Sequence, residues 1–174
     1  MLKAIDNENR QELKEYLLSR SAGISPEILL KTSEIIEDVR TGKDQALKKY
    51  TLQFDGVDLK DLQVSQAEIE EAAAKADPAF RQALENAAAN IRAFHELQKQ
   101  DGYRLEKEMG IFLGQRVIPL EAAGIYVPGG RAQYPSSVLM NAIPAKVAGV
   151  KRIVMVTPPS KEGGLHPNIA AAAL

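Results

Sequence analysis

Residues 124–149 read GIYVPGGRAQYPSSVLMNAIPAKVAG, and the way this stretch folds decides the class of the whole chain. The apolar run from Ala123 to Val127 predicts a strand, Pro128 to Gly130 a turn, and Pro135 or Ser136 to Ala148 a helix that Gly149 ends. A second apolar run, Arg152 to Val156, predicts the next strand. Strand, helix and strand at this spacing make a crossover unit, which requires parallel strands and a right-handed connection. Pro144 falls inside the helix, where it removes a hydrogen bond, leaves the Met140 carbonyl unpaired and predicts a bend, at a cost of about 3 kcal/mol.

Upstream the period is helical. Asn7 or Asn9 is the expected cap of a first helix with Leu13, Tyr16 and Leu17 on its apolar face, and Ser25 is a cap followed by proline at the first helical position. Ile28, Leu29, Ile35, Ile36 and Val39 carry a second helix for which Gly42 is the expected stop. Asp44 to Phe54 predicts a third, with Tyr50 in the core and the Asp55-Gly56 turn after it. Ser65 and Glu68 have the spacing of a capping box. Asp77-Pro78 opens a long helix reaching Gln100, with Phe80, Leu84, Ala87, Ile91, Phe94 and Gln98 along one stripe. Around Gly102 the period becomes that of strands, and Tyr103 to Met109 with Ile111 to Ile118 predict a β-hairpin.

The expected class is therefore α/β: N-terminal helices and a β-hairpin, then the start of a Rossmann-like domain with a parallel sheet. One parallel pair is too small a sheet to cover both its faces. Leu165 to Leu174 open a helix at Pro167 with no stop signal, so the chain is expected to be the N-terminal part of a longer protein.

Composition narrows the function classes. The 174 residues are 45% hydrophobic and 26% charged, which is enough apolar material for a core. Twenty-two Lys and Arg interleave with 23 Asp and Glu, and a formal charge of -1 disfavours nucleic acid as the partner. The charged N-terminus MLKAIDNENRQELKEYL has no apolar run of the kind a signal peptide or membrane span needs, which predicts a cytoplasmic protein with no membrane association. Without cysteine there is no disulfide, thiolate nucleophile or thiolate zinc site.

Two readings of the opening stretch stand side by side. In one, the strand-to-helix turn presents backbone N–H groups and the positive end of a helix dipole at the carboxyl edge of a sheet, where open α/β sheets bind nucleotides. Gly129 and Gly130 then allow a ligand to approach the main chain, Pro128 stiffens the turn, Ser136 and Ser137 add hydroxyls, and Tyr126 offers a flat ring. Tyr134 stands beside them as a further contact. In the other reading the turn is merely tight, the serines cap the helix and Tyr126 is half-buried in the sheet; the pattern is not GxGxxG. His95 and His166 are the only histidines, expected as a partly buried helix residue and a helix starter respectively. The glutamates at 68, 70, 71, 106 and 108 read as solvated or capping charges.

GIYVPGGRAQYPSSVLMNAIPAKVAGVKRIVMVTPP (124–159) closely resembles the signature region of the histidinol dehydrogenases, and DQALKKYTLQFDGV (44–57) and IRAFHELQ (91–98) resemble the same family's N-terminal region. The resemblance implies a longer, aldehyde-dehydrogenase-like two-domain enzyme. Residues 1–120 would supply the N-terminal helical region and first part of domain one, and 121–174 the beginning of the Rossmann-like nucleotide-binding domain. It further implies a zinc-requiring, NAD-linked homodimer that oxidises L-histidinol twice, through the aldehyde, to L-histidine. Tyr126 is implied as an NAD-binding residue, with Pro128, Gly129, Gly130, Ser136 and Ser137 beside it. The family's zinc ligands and catalytic glutamate-histidine pair are implied beyond residue 174, so no catalytic or metal-binding residue is expected in this chain. A related NAD-linked dehydrogenase for another alcohol, such as a sulfonated diol, and a non-catalytic binding or assembly module remain alternatives at this point.

Overall fold

The computed structural model of the chain describes residues 9–20, 23, 25–129 and 132–174, Met109 by its backbone alone. Asn7 and Gly130, both named above, lie outside the described residues. The elements run α1 (Arg10–Arg20), α2 (Pro26–Asp55), α3 (Gln66–Ala74), α4 (Pro78–Glu96), β1 (Tyr103–Lys107), β2 (Ile111–Gln115), β3 (Ala122–Tyr126), α5 (Pro135–Val147), β4 (Arg152–Val156) and α6 (Pro167–Ala173). No helix among the described residues is long and apolar enough to cross a membrane. The chain divides into two compact units, Met1–Leu47 and Lys48–Leu174.

In the first unit α2 starts at Pro26 as expected, and the Leu29 N–H donates to the Ser25 carbonyl at 3.0 Å. Gly42 does not end it. Lys43 alone leaves helical geometry, with φ 48° and ψ -129°, and the helix then resumes, so the two expected helices form one element broken one residue later. Gly42 has a packing role instead: a Cβ there would stand 3.1 Å from the Ala46 Cβ, and Ala46 is buried.

In the second unit the local signals in the sequence set the helix ends. Ser65 and Glu68 form the expected box: the Glu68 N–H donates to Ser65 Oγ, and the Ser65 N–H donates to Glu68 Oε2 at 2.8 Å. Asp77 Oδ1 accepts from the Ala79 and Phe80 amides at 2.7 and 3.1 Å, with Pro78 at the first helical position. α4 stops at Glu96, short of the expected Gln100. The hairpin is antiparallel, with Tyr103 opposite Gln115 and a 3-10 turn at Glu108–Gly110; it ends at Gln115, short of Ile118.

β3 and β4 pair in parallel, Ala122 opposite Arg152 and Tyr126 opposite Val156. Between them α5 continues through Pro144 to Val147 without interruption. It ends at Gly149, whose φ is +91°: the Gly149 N–H donates to the Lys146 carbonyl and the Val150 N–H to the Ala145 carbonyl, both at 3.0 Å. This paired closure requires a left-handed residue, which glycine adopts without a steric cost.

Two apolar clusters hold the layers together. Val127, Val138 and Ile169 pack with Met155 and Leu165, joining the sheet to α5 and α6. Leu139, Ile143 and Val147 receive Leu84, Ala87, Ala88 and Ile91 from α4. α4 therefore belongs to the same compact unit as the parallel pair.

Candidate functional site

β3 and β4 end level with each other, because Tyr126 lies opposite Val156. The turn after β3 is thus brought beside the loop after β4. The Val127 N–H donates to the Val156 carbonyl at 2.9 Å and extends the pairing by one residue. Beyond it, a Cβ added at Gly129 would stand 3.4 Å from the Pro158 Cδ, so the two segments lie against each other at the carboxyl edge of the strands. Val127 is completely buried, while Pro128 and Gly129 are half-buried.

The alternation of β3 separates the expected site residues. Ala123, Ile125 and Val127 share the covered side, and Val127 meets Val138 of α5 there. Gly124 and Tyr126 point to the other side. Tyr126 is 64% exposed, which replaces the half-buried ring of the alternative reading with a free one. A strand-end residue on an uncovered face has nothing to bury it, whatever its apolar neighbours in sequence.

α5 begins with Tyr134 as its capping residue, whose side chain makes no capping hydrogen bond. The serines are inside the first turn rather than at the cap, since Pro135 is the first helical residue. Ser136 is exposed and Ser137 half-buried, with the Ser137 N–H donating to the Tyr134 carbonyl at 3.0 Å. Asn141 Nδ2 donates to the Ser137 carbonyl at 2.7 Å and braces this turn. Helix amides left without a side-chain cap, together with the helix dipole, favour an anionic group. Gly130, also expected at this site, lies outside the described residues.

The sequence reading passed over the loop that follows β4. Thr157, Pro158 and Pro159 form the second lip of this edge, and they also line a cavity of about 660 Å³ bounded by the 57–65 loop and by α3. The signal was available: parallel strands that end level place the residues after each strand side by side, so the segment after Val156 had to flank the one after Tyr126.

The histidines take structural roles. His95 is half-buried, with Nδ1 2.6 Å from Gln98 Oε1 and its ring edge-on to Phe94. His166 caps α6, its Nδ1 accepting from the Asn168 N–H at 3.2 Å. Among the described residues no group of three or more His, Cys, Asp or Glu is placed to hold a metal ion. Two exposed carboxylates are perturbed: hydrogen bonds from Ser65 hold Glu68 below the usual range, and Lys75 does the same to Glu71 at 2.8 Å.

A parallel strand–helix–strand unit packed between helices makes this an α/β protein. Comparison with known proteins then specifies it. The sequence model of the family described as Histidinol dehydrogenase matches residues 18–174, and the chain belongs to that family. It is 48% identical over 172 residues to the histidinol dehydrogenase of Listeria innocua serovar 6a, covering 99% of this chain and 40% of the relative. Against that of Geobacillus kaustophilus it is 53% identical over 140 residues, covering 80% and 33%. The crystal structure of histidinol dehydrogenase from Elizabethkingia anophelis is similar with a TM-score of 0.75 at 36% identity, over 99% of this chain and 35% of that one. The chain thus spans about two fifths or less of the length of these relatives.

Proposed function

We propose that this chain supplies the nucleotide-facing edge of an NAD-linked histidinol dehydrogenase, which oxidises L-histidinol through the aldehyde to L-histidine. Residues 121–174 are the beginning of its Rossmann-like domain, which borrows α4 as a packing layer, and residues 1–120 are the N-terminal helical region and first part of domain one. The observation that carries the reading is the 64% exposed ring of Tyr126 at the end of β3, next to a turn with no side chain at Gly129.

NAD accepts the hydride when bound; this chain's residues bind and orient it. Tyr126 packs its ring on a flat part of the ligand, and Pro128 and Gly129 admit it to the main chain. The first turn of α5, with Ser136 and Ser137, receives the negative charge of the pyrophosphate. Oxidising an alcohol also needs a base for the hydroxyl proton, and in this reading that base, the zinc site and the histidinol pocket come from the part of the family's length that this chain does not span. The working enzyme is a cytoplasmic homodimer.

NAD titration monitored by nuclear magnetic resonance tests the reading on this chain. The Tyr126 ring and the Gly129 amide should shift together and saturate. Unchanged signals at roughly millimolar NAD, a concentration that still detects a binding free energy near 4 kcal/mol, would overturn it. In a full-length protein containing this sequence, histidinol-dependent formation of NADH is the matching assay.

A further inference from the structure

The loop after β4 is held in one shape by a single residue. The Ser160 N–H donates to the Gly164 carbonyl at 2.9 Å, the Ser160 carbonyl accepts from the Gly163 N–H at 2.9 Å, and Ser160 Oγ donates to the Gly163 carbonyl at 2.6 Å. Gly163 and Gly164 have φ of +82° and +73°, values that let the chain reverse over five residues. Ser160 is half-buried, and the Oγ bond is partly shielded from water. Two consecutive prolines precede it, each with φ fixed by its ring, so the clasp at Ser160 transmits its position back to Pro158 with few free torsions between. Pro158 is the residue that lies against Gly129, and Pro158, Pro159, Gly163 and Gly164 together form one wall of the cavity of about 660 Å³.

We propose that Ser160 is a positioning residue: by closing the 160–164 loop it fixes Pro158 against Gly129 and thereby sets the width of the nucleotide-facing edge. The contact between the two loops stands on its own, and only the effect on nucleotide rests on the function proposed above. Its hydroxyl hydrogen serves the Gly163 carbonyl, which loses this side-chain donor once the hydroxyl is gone.

Ser160→Ala removes the Oγ bond, and Ser160→Thr retains it. In the NAD-free chain the alanine variant should speed exchange of the Gly163 amide by roughly fivefold, the effect of one net hydrogen bond. It should also weaken the cross-relaxation between the Pro158 ring and the Gly129 Hα. Threonine should restore both signals. In an NAD titration of the same samples, alanine should weaken binding by roughly two- to fivefold, with threonine again near the parent chain. Exchange and cross-relaxation unchanged in the alanine variant overturn the positioning role. Altered NAD-free signals in a chain that does not bind NAD overturn the proposed function and leave the positioning role standing. Altered NAD-free signals with parental NAD affinity sink the link between Ser160 and the nucleotide. An alanine variant that loses its circular dichroism is replaced by Ser160→Cys, whose weaker donor should give an intermediate exchange rate.

Discussion

Ile169→Ala is the most direct test of how the second unit holds together. α6 has seven residues, well below the dozen or so that a helix needs to persist alone in water, so it exists because it is packed. Ile169 is 1% exposed and, with Val127, is one of the two largest fully buried side chains among the described residues. It fills the space between Val127 at the end of β3 and Val138 on α5. Truncating a buried isoleucine to alanine removes transfer free energy and leaves a cavity, together worth about 2–5 kcal/mol. A typical domain has about 5–15 kcal/mol in total, so the variant sits close to unfolding. Leu97→Ala is the control: this leucine is equally apolar but 87% exposed at the end of α4, and its loss should change stability by about 0.5 kcal/mol or less. Urea unfolding followed by far-UV circular dichroism reads the difference. With a slope of about 1–3 kcal/mol per molar urea, a 3 kcal/mol loss lowers the midpoint by about 1–3 M. If the alanine variant is unfolded without urea, Ile169→Val gives a measurable 0.5–1.5 kcal/mol, within the range of about that size for one methylene group. Equal midpoints for the Ile169 and Leu97 variants would refute the reasoning, because they would mean that α6 contributes nothing to the unit.

Three further outcomes are expected. Lys43→Gly should stabilise α2 by about 1 kcal/mol in thermal unfolding, because a lysine at φ 48° is strained and glycine is not, while Lys43→Ala should bring no gain. Tyr126→Leu should weaken NAD binding roughly two- to tenfold in the titration described above and leave the urea midpoint in place, since the ring is mostly exposed; Tyr126→Phe should bind as the parent chain does. Glu68 is held below the ordinary glutamate value, near roughly 4.3, by Ser65. Its contribution to the start of α3 is therefore present above that value and lost as the pH falls through the lowered one, so amide exchange at Glu68 should quicken in that acid window in the parent chain and show no such step in Glu68→Gln.

Local chemistry was the most legible part of the fold. The Ser65–Glu68 box, the Asp77 cap and the Gly149 closure each involve residues three to five positions apart, so their partners are visible in the sequence itself. Burial along an amphipathic stripe was not. Leu84 and Ile91 of α4 pack on α5, whereas Phe94 on the same stripe is 61% exposed. α4 has 19 residues and α5 only 13, about 28 Å against about 20 Å at 1.5 Å per residue, so the longer helix outlasts its partner. The stripe shows which side of a helix is apolar; the length of the facing helix decides how much of it is covered. The break at Lys43 was missed by one residue for a related reason. Gly42 was read as a stop by its conformational freedom, but the structure uses its missing side chain to admit Ala46.

The candidate site shows the same division. Its parts were legible as a turn type, but their distribution over the sheet was not, since that depends on which face α5 covers. Strand alternation puts Val127 under α5 and Tyr126 on the opposite side, so the aromatic ring and the first turn of α5 lie across the carboxyl edge from each other. A ligand confined to one face can use the ring or the helix amides but not both. One that uses both must cross the edge at Pro128 and Gly129, where a side chain would fill the passage toward Pro158. An extended molecule with an aromatic group on one side and negative charge in its middle meets that requirement, so under the function proposed above the glycine after the strand, rather than the tyrosine alone, fits this edge to a dinucleotide.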